Sequence, residues 1–195
     1  MLKSHKKRYD GGEKEDELLN IVGEQKNSPT TVKHVIELIN SGVDLNQIFE
    51  GGYTVLHISA YFGYLDYIRL FIDNGAYIDI QDIRTGETAL HVATSIAESS
   101  DIIDQEQKEI IKFLIKSGAN KEILDNSGHT ARDNFPILYD KIETEIILEA
   151  LEELRRLETA LLSYSKSEEY SNGIEEEKID IEILKYIFDI DKMKL

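Results

Sequence analysis

The sequence predicts an all-α solenoid of about three to four stacked helix–turn–helix units, closed by a long C-terminal helix. Three observations carry this. The stretch GGYTVLHISAYFGYLDYIRLFIDNGA, from Gly51 to Ala76, reads as a glycine turn, a short apolar helix, a glycine, a second apolar helix and another glycine. The segment GYTVLHISA from Gly52 returns as GETALHVAT from Gly86, and SGVDLN from Ser41 returns as NGAYID from Asn74 and as SGANKE from Ser117. From Pro136 onward, PILYDKIETEIILEALEELRRLETALLSYS has no internal glycine or proline. Two short helices cannot bury their apolar faces alone, so recurring copies imply stacking on neighbours.

The elements follow in order. Residues 1–14 are expected to form a flexible tail. EDELLNIVGEQ predicts a first helix, KNSPT a loop, and TVKHVIELINSGVDLN a helix with Val32, Val35, Ile36, Leu38 and Ile39 at helical spacing. Gly42 stops that helix at the position where positive φ is needed. DNSGHTARDN from Asp125 opens a further copy. It is delayed by TSIAESSDIIDQEQKEI, an insertion that either lengthens a helix or bulges as a loop. The stack should thus occupy 15–135 and the capping helix 136–165. Ile142, Ile146, Ile147, Leu151, Leu154, Leu157 and Leu161 form an apolar stripe on that helix. The alternative for the same stripe is a coiled-coil dimer seam about three heptads long. An acidic linker is expected at 166–178. A terminal amphipathic helix at 179–195 would carry Ile179, Ile183, Tyr186, Ile187 and Ile190 on one side.

Bulk composition narrows the function. The 195 residues are 41% hydrophobic with two prolines, enough for one domain with a real core. A formal charge of −16 argues against nucleic acid and against an anionic membrane surface, both of which need clustered Lys and Arg. The absence of cysteine excludes disulfides and Cys-based zinc sites and fits a reducing compartment. The N-terminus MLKSHKKRYDGGEKEDE lacks the apolar core of a secretory signal.

The repeated segments resemble the ankyrin-repeat family. One copy carries the family pattern at Gly52, Thr54, Leu56, His57, Ala60, Gly63, Ile68, Leu70, Gly75 and Ala76. The next carries it at Asp82, Gly86, Thr88, Leu90, His91, Ala93, Leu114, Gly118 and Ala119. Val55 and Ala89 stand where the family has proline, the first unit lacks the Thr-Pro-Leu-His box, and the last is truncated. The resemblance implies hairpin fingers between units. It implies that Thr54 with His57, and Thr88 with His91, tie one finger to the next through backbone hydrogen bonds, a structural task rather than a catalytic or metal-binding one. Leu56, Ala60, Ile68, Leu70 and Phe71 should face the core, as should Leu90, Ala93, Ile110, Phe113, Leu114 and Ile115.

The resemblance also implies a protein partner held by the fingers and the exposed face of each first helix. The family's variable contact positions fall here on Ile48, Gly51, Tyr53, Tyr61 and Phe62. In the next unit they fall on Gln81, Arg84, Thr85, Glu87, Ser95 and Ile96, and on the last finger on Leu124, Asn126, Ser127 and His129. Asn74 and Ser117 lie at helix ends on the same side. Tyr53, Tyr61 and Phe62 lead this set, because aromatic side chains bury much area with few rotors. No phosphate-cradling loop, nucleophile elbow, zinc helix or EF-hand loop is present, so no enzyme, cofactor or metal is expected.

The expectation is therefore a non-enzymatic, cytoplasmic protein–protein interaction module, monomeric or dimeric through its C-terminal helix. A composition rich in Ile, Lys and Glu suits a bacterial effector acting on host proteins and exported without a signal peptide. Two other functions compete: an acidic neutraliser of a basic toxin or nuclease, and a self-associating structural scaffold.

Overall fold

The computed structural model describes residues 12–24, 29–99 and 105–165; of the tail expected at 1–14 only residues 12–14 are described, with helix from Glu13, and the linker expected at 166–178 and the terminal helix expected at 179–195 fall outside the described residues. Two units are present, Met1–Glu143 and Thr144–Leu195. The helices are α1 (Glu13–Gly23), α2 (Pro29–Asn40), α3 (Val55–Phe62), α4 (Leu65–Asp73), α5 (Ala89–Ser99), α6 (Gln105–Lys116), α7 (Ala131–Asn134) and α8 (Pro136–Ser165). No strand occurs among the described residues.

The first unit is built from helix pairs. α1 packs on α2, α3 on α4 and α5 on α6, while α1, α3, α5 and α7 pack successively on one another and α4 packs on α6. The row α1–α3–α5–α7 can be close-packed because small side chains, Ala60, Ala93, Ala97 and Ala131, are buried along it. Each of α2, α4 and α6 ends in the same way. After α2, Gly42 takes φ 84°, donates to Ile39 O, and lets Val43 donate to Leu38 O at 3.4 Å. This satisfies carbonyls that the helix end would leave open.

Two local readings change, and one left open takes a direction. The loop expected at KNSPT ends earlier, because α2 begins at Pro29; proline's missing N–H is harmless in a first helical turn. In the described part of the insertion a helix is lengthened: α5 has 11 residues where α3 has 8. The inward face of the outer helices is also rotated from the one expected. In α4, Tyr67, Ile68 and Phe71 are buried and Leu70 is only half-buried. In α6, Ile110, Ile111 and Leu114 are buried, while Phe113 and Ile115 are half-buried. Phe113 instead lies beneath the Arg69 guanidinium, 4.7 Å from its ring centre, a cation–π contact between α6 and α4. The insertion also supplies Gln107, buried at 4% exposure. Its amide donates to Ala60 O at 3.3 Å and Ala93 O at 2.9 Å, joining the last turn of α3 to the middle of α5.

α8 closes the first unit with its first two turns, which bury Leu138, Tyr139 and Ile142. Arg132 meets Asp140 at 2.8 Å and Lys121 meets Glu143 at 2.6 Å at the rim. In the second unit, α8 carries its apolar stripe half-buried at Ile146, Ile147, Leu154 and Leu157 and exposed at Leu151; the Leu161 side chain lies outside the described set.

The Tyr139 hydroxyl is buried without a hydrogen-bond partner among the described residues, and burial pushes its pKa far above that of an ordinary phenol. An unmade hydrogen bond on a buried group is costly. Tyr139→Phe, which keeps the ring and removes the hydroxyl, should therefore raise stability by about 1 kcal/mol in urea denaturation. A loss of stability would show that the hydroxyl is satisfied in solution.

Candidate functional site: a groove between fingers and inner helices

The fingers are tight turns. Phe49 N donates to Tyr53 O and Gly52 N to Phe49 O in the first; Asp82 N donates to Glu87 O and Gly86 N to Asp82 O in the second; Asp125 N donates to His129 O and Gly128 N to Asp125 O in the third. Neighbouring fingers are joined by Ile83 N to Gly52 O at 3.0 Å and Asn126 N to Thr85 O at 2.8 Å. Gly86 is required twice over. Its φ is 72°, and a Cβ there would sit 2.8 Å from Asn126 N.

The histidines lock this arrangement. Thr54 caps α3 in a capping box with His57. The Thr54 N–H donates to His57 Nδ1 at 3.2 Å, which places the ring proton on Nε2. Nε2–H then donates to Glu87 O at 3.0 Å on the next finger. His91 repeats the pattern, with Thr88 N at 3.2 Å on Nδ1 and His129 O at 3.2 Å on Nε2. In the fourth unit Asp133 occupies the equivalent position and accepts from Thr130 N at 2.8 Å and Thr130 Oγ1 at 2.7 Å. A carboxylate caps the helix but cannot donate onward, and no further finger follows among the described residues.

Burial holds the His57 pKa below its ordinary value, against smaller opposing contributions from the Glu87 carbonyl and the Asp82 and Glu87 carboxylates. Protonation would set a second N–H against the Thr54 N–H. The unfolded chain thus binds the proton more readily than the native one, and stability rises with pH between the two pKa values. The His57 contribution should be fully present above about pH 6.5 and fall away as pH drops toward the lower native pKa. Urea midpoints of wild type and His57→Gln, compared from pH 7.5 down to pH 5, should converge on acidification. A constant gap would mean that the ring is not held neutral.

Beside the fingers lies a groove of about 600 Å³. Leu19, Asn20 and Gly23 of α1 and Glu24 just after it line one side, and His57, Ile58, Tyr61 and Phe62 of α3 line the groove beside them. The fingers contribute Gly51, Tyr53, Asp82, Arg84, Thr85 and Glu87, and α5 adds Val92. Tyr61 is 56% exposed; Tyr53 and Phe62 are half-buried. The Tyr53 ring lies over Gly51, where any Cβ would run into it. Behind Tyr61 an unbroken series of rings leads inward. Tyr61 meets Phe62 edge-on at 5.1 Å, Phe62 stacks on Tyr64 at 5.8 Å, Tyr64 meets Tyr67 edge-on at 5.7 Å, and Tyr67 stacks on Phe71 at 5.9 Å.

Of the residues expected at a partner surface, Gly51, Tyr53, Tyr61, Phe62, Arg84, Thr85 and Glu87 line this groove; the others do not. Gln81 and Asn126 spend their amides between fingers, on Leu124 O at 2.9 Å and Arg84 O at 2.8 Å. Leu124 is 54% exposed. Ser127 and His129 donate backbone N–H groups to Asp125 Oδ1 within the third turn. Asn74 donates to Leu70 O at 2.7 Å at the end of α4. Ile48, Ser95, Ile96 and Ser117 are half-buried away from the groove. The wall from α1 was not expected, because the first unit lacks the box that fixes register. The signal was nevertheless present: with Leu18 and Val22 turned inward, Leu19 and Gly23 follow one residue round the same helix.

Ankyrin repeats, in 3 copies, match residues 19–125. The chain belongs to the ankyrin-repeat family. An ankyrin repeat-containing protein of Schizosaccharomyces pombe is 32% identical over 71 residues, covering 36% of this chain and 34% of that protein. Ankyrin repeat and SAM domain-containing protein 6 of Mus musculus is 32% identical over 103 residues, covering 53% of this chain and 10% of that protein. A glycerophosphocholine phosphodiesterase of S. pombe is 27% identical over 119 residues, covering 58% of this chain and 10% of the enzyme. The chain spans about a third or less of the length of these relatives. Ankyrin repeats are in general protein-interaction modules, and the fold is typically non-enzymatic. Among the described residues, no three His, Asp or Glu side chains are placed to hold a metal ion, and no helix is long and apolar enough to cross a membrane.

Proposed function

We propose that this ankyrin stack is a non-enzymatic binding module that grips a protein partner in the groove between α1, α3 and the first two fingers. One observation carries the proposal. An exposed tyrosine, Tyr61, and the half-buried Tyr53 share an open concavity with finger side chains, and the series of rings behind Tyr61 anchors it to the core. Interfaces concentrate their energy in such rigid aromatic anchors, ringed by polar residues that exclude water. The finer expectation of a bacterial effector delivered to a host rests on composition and on residues 166–178, and binding in the groove does not depend on it. Affinity capture on immobilised full-length chain, followed by mass spectrometry, tests the proposal. A partner retained by wild type and lost by Tyr61→Ala supports it; equal retention by both overturns it.

A further inference from the structure

We propose that the groove takes a basic segment of its protein partner. An apolar side chain would seat among Tyr53, Ile58 and Tyr61, and lysines or arginines flanking it would face Glu24, Asp82 and Glu87. This rests on the groove being the partner site proposed above.

Among the described residues, the lining sets three carboxylates against a single guanidinium, that of Arg84. His57, the other ionisable base there, accepts the Thr54 N–H on Nδ1 and donates from Nε2 to Glu87 O, the bonding of a neutral ring. The carboxylates also flank the apolar lining from α3. α1 and α5 pack on α3 from opposite directions, so Glu24 at the end of α1 stands on one side, and Asp82 and Glu87, on the finger leading into α5, stand on the other. Part of this charge is already fixed in place. Asp82 Oδ1 accepts from Arg84 N at 2.7 Å, Thr85 N at 2.8 Å and Thr85 Oγ1 at 3.2 Å, so little side-chain freedom is lost when a cation arrives. The formal charge of −16 on the whole chain adds a long-range field of the same sign.

Alternative occupants fit less well. A neutral or acidic segment would desolvate these carboxylates without a counter-charge. A nucleic-acid strand would bring phosphates against them. The groove's volume, about 600 Å³, is in the range of sites that enclose a ligand of several side-chain-sized groups.

A phage-displayed random peptide library, panned over immobilised full-length chain, supplies the probe. Clones that bind wild type but not Tyr61→Ala should carry an aromatic residue or leucine flanked by Lys or Arg. A synthetic peptide from the strongest clone should associate about tenfold more slowly when salt rises from ~50 mM to ~500 mM. It should also bind Glu24→Gln/Glu87→Gln about tenfold more weakly. The Gln pair removes charge and keeps shape, and the Glu87 backbone carbonyl that receives His57 is untouched. Tyr61-dependent clones without a basic excess, or with unchanged affinity for the Gln pair, overturn this proposal and leave the groove as the partner site. If no clone depends on Tyr61, both fall together.

Discussion

Alanine in place of Phe71 should lower the stability of the repeat stack by about 3–5 kcal/mol, the range for deleting a fully buried phenylalanine side chain. The ring is wholly buried, as are Tyr67 and Ile68 beside it. It stacks on Tyr67 with planes 15° apart, a geometry that adds about 0.5–1.5 kcal/mol beyond area burial. Small domains hold about 5–15 kcal/mol in total, so this one substitution removes a large fraction. The loss also spreads, because each unit of a solenoid is stabilised by its interfaces with neighbours. Leu70→Ala, one residue away and half-buried, should cost roughly 1 kcal/mol. Urea denaturation of both variants measures the contrast. If the two losses were equal, the inward face of α4 would not be the one described.

That contrast marks where the sequence stopped being legible. The period, the fingers and the histidine ties could be read because each depends on residue type at a fixed position. A positive φ calls for Gly86, and a side chain that both caps its own helix and donates to the next finger calls for His57 or His91. Rotation of the outer helices could not be read in the same way. In LDYIRLFID, apolar residues at 67, 68, 70, 71 and 72 surround most of the helix. Only packing against α3 and α6 decides that Tyr67 turns in and Leu70 turns partly out. Ile111 and Phe113 pose the same ambiguity in α6. The groove was half legible. Its finger and α3 residues come with the repeat pattern, whereas its α1 wall comes from the degenerate unit and needed the packed structure. Asp133 is a subtler case. The change from His to Asp within an otherwise matching box marks a unit that caps its own helix without reaching another finger.

Tyr61→Ala should weaken partner binding about thirtyfold or more, the loss of a ~2 kcal/mol hot spot, and should leave stability within about 0.5 kcal/mol of wild type. Sequence alone placed Tyr61 and Phe62 together as a binding pair, but the structure separates their tasks. Tyr61 is 56% exposed and meets Phe62 by an edge, so its removal leaves no cavity. Phe62 is half-buried and stacks on Tyr64, whose edge meets the buried Tyr67. Phe62→Ala should therefore cost about 1–2 kcal/mol of stability as well as affinity. Gly51→Ala gives an independent check. Gly51 does not have the positive φ that would strain an alanine, and the three atoms nearest to its Cβ would all belong to the Tyr53 ring. The substitution should rotate that ring and weaken binding while the melting temperature holds. The measurements are calorimetric titration of the captured partner and thermal melts of the three variants. Should Tyr61→Ala lower the melting temperature as far as Phe62→Ala, the ring would belong to the core, and the groove would lose its anchor.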